Sequence, residues 1–85
     1  MNSGYSWSIA GEAYRYLVSL PKRKRRSLER AIENLASHPF RAPLFTDRTP
    51  EGFLLEVIES EDCLITYHAD HAARRILVTE IQPLP

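Results

Sequence analysis

The chain has a single cysteine, Cys63, so no internal disulfide can form, a composition that suits a reducing compartment. No apolar stretch approaches the ~20 residues needed to cross a bilayer as a helix. The segment Met1 to Ala10 has no basic run followed by an apolar core and does not read as a signal peptide. These absences predict a cytoplasmic protein with no membrane partner. Net charge is also lacking, at zero over 85 residues, of which 44% are apolar. That length predicts one domain, residues 1–85, and that apolar share predicts a folded rather than a disordered chain.

The charge that is present is segregated. Residues 1–42 carry eight basic and three acidic side chains, and residues 43–85 carry three basic and eight acidic ones. The halves are therefore +5 and −5, and such a molecule can bind a charged partner although its total is zero.

Tyr5-Ser-Trp-Ser-Ile9 alternates apolar and polar residues and predicts a strand with Tyr5, Trp7 and Ile9 on one face. Gly11–Leu20 has helical spacing, with Ala10, Ala13, Tyr14, Leu17 and Leu20 apolar. Pro21 suits the first position of a new helix running to Ser37, with Leu28, Ala31, Ile32, Leu35 and Ala36 in one stripe. His38-Pro39 ends it, because a residue before proline is pushed out of the helical region. Two helices joined this tightly predict an antiparallel hairpin.

Phe40 to Glu51 reads as a proline-bearing surface loop. Phe53–Glu59 reads as a strand, with Phe53, Leu55 and Val57 on one face and Leu54, Glu56 and Ile58 on the other. Ser60-Glu61-Asp62 is a tight turn, Cys63–His68 a second strand, Ala69–Ala73 another turn, and Arg75–Ile81 a third strand. In that last strand Ile76, Val78 and Glu80 alternate with Leu77, Thr79 and Ile81. The expected architecture is α+β: an N-terminal strand and an antiparallel helical hairpin packed on an antiparallel β-sheet with a three-stranded C-terminal meander.

Three segments narrow this. "LPKRKRRSLERAIENLASHP", "GFLLEVIESEDCLITYHAD" and "RRILVTEI" resemble the two-helix region, central hairpin and last strand of the RelE/ParE toxin superfamily. The match covers about nine tenths of the chain, weak in each piece and more specific in their order.

The resemblance implies a toxin of a type II toxin–antitoxin, or plasmid-stabilisation, system, with a cognate antitoxin protein as partner and no metal or cofactor. RelE-type members are mRNA interferases that cut messenger RNA in the ribosomal A site, and ParE-type members poison DNA gyrase. RelE-type chemistry needs cations on the scissile phosphate and a proton donor or acceptor. In the family these stand on the outward face of the first meander strand, on the next strand just after the turn, and at the C-terminus. The matching positions here hold Leu54 and Glu56, then Leu64, then Gln82-Pro83-Leu84-Pro85. Stand-ins available to an endoribonuclease are Arg41, Arg48, His68, Arg74 and Arg75. A non-enzymatic binding protein on the same fold, either a gyrase inhibitor or a toxin relic that still binds its antitoxin, is the alternative.

Lys22, Arg23, Lys24, Arg25, Arg26 and Arg30 crowd the start of the second helix, where the helix dipole disfavours cations by a few tenths of a kcal/mol each at exposed sites. They suit an anionic partner, whether nucleic acid, ribosome or an acidic antitoxin segment, and equally a solvated helix start eased by Arg25–Glu29 pairing. His68, Asp70 and His71 in one turn can ligate a metal, but with no fourth ligand in view they also fit a polar turn. Tyr67 reads as a core tyrosine with a tied hydroxyl, Tyr5 and Trp7 as core residues, and Cys63 as a small buried hydrophobe.

Overall fold

The computed structural model describes residues 4–85, so the first three positions of the Met1–Ala10 segment lie outside it. Strand β1, Ser6–Ile9, leads into helix α1, Gly11–Ser19, and helix α2, Lys22–Ser37. Four strands follow: β2 Phe45–Arg48, β3 Leu54–Ser60, β4 Cys63–Asp70 and β5 Arg75–Pro83. They form one sheet in the order β1-β5-β4-β3-β2.

The sheet is mixed rather than antiparallel. β1 lies parallel to β5, with Trp7 opposite Ile76 and Ile9 opposite Val78, while every other pair is antiparallel. The reason is topological. β1 belongs to no hairpin, and the chain crosses over two helices before the meander brings β5 to its side.

Both helices begin without a side-chain cap. The Ala10 carbonyl accepts from the Tyr14 amide at 2.8 Å, and the Pro21 carbonyl accepts from the Arg25 amide at 2.9 Å. Pro21 is the residue flanking α2 rather than its first helical residue. It holds Leu20 in an extended conformation (φ −79°, ψ 151°), which ends α1.

The core lies between the helices and one face of the sheet. Leu17, Leu28, Ile32 and Leu35 meet Ile58, Ile65, Tyr67, Ile76, Val78 and Ile81, with Tyr5, Trp7, Ile9 and Tyr16 packed at the margin. Burying each large aliphatic side chain contributes about 1.5–3 kcal/mol. Between Thr66 and Tyr67 the β4–β5 register slips by one, so Thr66 faces Glu80 while Tyr67 faces Val78. This bulge inserts Thr79 as an extra residue. It turns Ile81 into the core and Glu80 away from it, reversing the alternation expected for that strand.

β2 occupies part of the expected loop. All four of its residues are exposed, so no burial periodicity marks it. Backbone bonds hold it: the Leu44 amide donates to the Val57 carbonyl at 2.8 Å, and the Thr49 amide to the Phe53 carbonyl at 3.0 Å. Gly52, at φ +93°, closes the turn that follows. No helix among the described residues is long and apolar enough to cross a membrane.

Candidate nucleic-acid interface and open sheet face

The basic run falls on the first three turns of α2. Lys22, Arg23, Arg26, Ser27 and Arg30 surround one hollow of about 470 Å³. Arg23 and Lys24 also form the cationic wall of a larger cleft of about 670 Å³ between α2 and the β3–β4 turn. Glu61 and Asp62 stand on its other wall, and Tyr16, Leu28, Cys63 and Leu84 supply apolar lining. The Tyr16 hydroxyl is 4.0 Å from the Cys63 sulfur. Burial and that thiol push the Tyr16 hydroxyl's pKa up. Arg30 also lines a third hollow with Asn34, Arg41, Ser60 and the acidic Glu61, so three hollows sharing Arg23, Ser27 or Arg30 adjoin along α2 as a trough, and Arg25 lines none of them.

Directly opposed residues in a ladder share a face of the sheet. Ile58 is in the core, so Glu56, two residues earlier, also points to the helix side, opposite Tyr67. The outward residues of β3 are therefore Leu55, Val57 and Glu59, not Leu54 and Glu56. A one-residue shift moves every side chain to the other face, and short apolar strands such as Phe-Leu-Leu-Glu-Val-Ile do not reveal which set is buried. On β4 the outward residues are Leu64, Thr66, His68 and Asp70. The open face thus carries apolar and acidic groups where the resemblance requires cations.

The five catalytic stand-ins do not converge. Arg41 lies in the third hollow beside Arg30 and Asn34. Arg48 sits on the helix side opposite Leu54 and donates from Nη1 to the Gly52 carbonyl at 2.9 Å, closing a turn. Arg74 lies in the β4–β5 turn at φ +56°, its guanidinium 5.7 Å from the centre of the Tyr5 ring. Only His68 and Arg75 share the open face. His68 Nδ1 is 2.9 Å from the Leu54 carbonyl, and its ring meets the Phe53 ring edge-on at 5.5 Å. Arg75 stands opposite Asp70.

The His68-Asp70-His71 grouping does not form a metal site, and no such cluster exists among the described residues. His71 turns to Tyr5, with Nδ1 and the hydroxyl 3.0 Å apart, and stacks on Phe40 at 4.6 Å. Asp70 accepts from the Ala73 amide at 3.0 Å. Phe40 and Tyr16 are the site residues that pattern reading did not single out. Phe40 is an aromatic in a segment without periodicity, and Tyr16 is spaced as an ordinary half-buried helix residue.

Tyr67 is in the core, but its hydroxyl is not tied. It is buried without a hydrogen-bond partner among the described residues. Burial, reinforced by the Glu56 carboxylate and opposed by the Arg41 guanidinium, pushes its pKa up to about 12.

No protein-family profile and no curated protein sequence matches the chain. Solved structures do. The archaeal RelE–RelB complex from Pyrococcus horikoshii OT3 aligns with a TM-score of 0.73 at 19% identity, over 98% of this chain and 96% of that one. The toxin–antitoxin complex RelBE2 from Mycobacterium tuberculosis aligns with a TM-score of 0.72 at 20% identity, over 94% of this chain and 91% of that one. The chain has the RelE-like fold. Its two helices on a five-stranded mixed sheet are that fold's whole framework, so what distinguishes this chain is the decoration of the RelE-like scaffold.

Proposed function

We propose that the protein is the toxin of a type II toxin–antitoxin pair, neutralised by a cognate antitoxin and acting, RelE-like, on ribosome-bound messenger RNA. The carrying observation is the RelE-like fold with the basic trough of α2. Lys22, Arg23, Lys24, Arg25, Arg26 and Arg30 supply the attraction for an RNA-rich surface, a sequence-independent and salt-dependent term. On this reading His68 and Arg75 are the groups on the open face available to handle the proton and the phosphate charge, with no metal or cofactor.

A second reading is favoured by the same face. Leu55, Val57, Glu59 and Leu64 make it apolar to acidic, and an acidic group beside an RNA phosphate is unfavourable by Coulomb's law. A non-enzymatic protein on this scaffold, either a gyrase inhibitor or a relic that retains antitoxin binding, fits that composition. Induction in a bacterial host separates the two: A-site cleavage of messenger RNA supports the enzyme, loss of DNA supercoiling supports gyrase inhibition, and unaffected growth supports the relic.

A further inference from the structure

The corner where β1 begins, α2 ends and β4 turns into β5 carries an aromatic assembly that the toxin reading does not use. Phe40 and His71 are nearly coplanar stacked rings, 4.6 Å apart at 10°. Tyr5 meets Phe40 at 6.1 Å and 78° and meets His71 at 5.7 Å and 68°, bracing both rings edge-on. The Tyr5–His71 hydrogen bond of 3.0 Å fixes the imidazole's orientation. Phe40, one face on His71, is still 77% exposed. A large apolar ring held this open and braced this firmly loses little freedom when another ring settles on it.

A cation borders these rings. The Arg74 guanidinium lies 5.7 Å from the centre of the Tyr5 ring, in the turn that also carries His71. A flat aromatic surface bordered by a guanidinium group matches an aromatic ligand that carries anions alongside it, as the bases and phosphates of single-stranded nucleic acid do.

We propose that Tyr5, Phe40 and His71 form a stacking platform for an unpaired nucleobase, with the Arg74 guanidinium beside Tyr5 attracting a flanking phosphate. These four residues belong neither to the α2 trough nor to the open sheet face, so the platform does not depend on the toxin reading.

The test is fluorescence anisotropy with a short single-stranded oligoadenylate and an abasic oligonucleotide of equal length and charge. The oligoadenylate binds more tightly, and Phe40→Ala weakens it about tenfold while leaving the abasic probe unchanged. Phe40→Trp retains binding, which shows that the ring and not the fold is being read. Charge reversal in α2 lowers both probes together and preserves their ratio, and so does an octaglutamate competitor. Equal affinity for the two probes, an unchanged oligoadenylate affinity in Phe40→Ala, or loss of the preference for oligoadenylate in the presence of octaglutamate would overturn the platform.

Discussion

Glu56 and Tyr67 face each other across the β3–β4 ladder on the helix side of the sheet, and the Tyr67 hydroxyl is buried there with no hydrogen-bond partner among the described residues. An unpaired buried hydroxyl is a cost, about 1–3 kcal/mol of desolvation not returned. The neighbouring carboxylate makes ionisation of the phenol harder still.

Tyr67→Phe should therefore leave the fold intact and raise stability at neutral pH, by about 1 kcal/mol. The sign of the pH effect follows from the raised pKa. The folded state holds the Tyr67 proton up to about 12, against an ordinary value of 10.0, so it binds more protons than the unfolded chain between those values. Tyr67's contribution is fully present below pH 10 and is lost as pH rises toward about 12. Urea titrations at neutral and alkaline pH should show a shallower alkaline decline in Tyr67→Phe than in the wild type.

The β3–β4 turn stores backbone strain. Glu61 and Asp62 both occupy the left-handed region, at φ 54° and 58°. Two-residue hairpins of this kind favour Asn-Gly. The double substitution Glu61→Asn, Asp62→Gly should stabilise the protein by about 1 kcal/mol, measured as a higher urea midpoint at constant slope. A lower midpoint would mean that the carboxylates on the cleft wall contribute more than the strain costs.

Charge reversal at Lys22, Arg23 and Arg26 should abolish ribosome association. These side chains are exposed, and their present position at a helix start is electrostatically unfavourable, so the variant should fold at least as well as the wild type. Sedimentation with ribosomes across a salt series reads the effect. Binding that survives the reversal and ignores salt would remove α2 from the interface.

His68→Ala with Arg75→Ala tests the enzyme reading. Purified wild-type protein should leave free RNA uncut, and any ribosome-dependent cutting should disappear in the double variant. Primer extension on ribosome-bound messenger RNA reads it, and cutting that persists in the double variant would place the chemistry elsewhere.

Much of the scaffold was legible in the chain itself. The stripe Leu28, Ala31, Ile32, Leu35, Ala36 and the breaks at Pro21 and Pro39 mark α2, because burial on one helical face and proline's fixed geometry are local properties. β2 was not legible, since an edge strand exposed on both faces has no hydrophobic period. The outward set of β3 was not legible either. With Leu54, Leu55, Val57 and Ile58 all apolar, only the pairing to β4 and the burial of Ile58 decide the face. The bulge at Thr66 and Tyr67 reversed the tail of β5 for a related reason, because an inserted residue resets the alternation without altering composition. The site is the least legible part. Arg48, His68, Arg74 and Arg75 stand out by residue type alone, and long-range strand pairing decides which face each one takes.

The most direct test of the toxin assignment is controlled induction in a bacterial host, with translation followed by amino-acid incorporation and messenger RNA ends mapped on ribosomes. The account predicts growth arrest with A-site cuts, reversed by co-expression of a neutralising antitoxin from the same locus. Normal growth and uninterrupted translation at high expression, with no protein from that locus binding the chain, would contradict it.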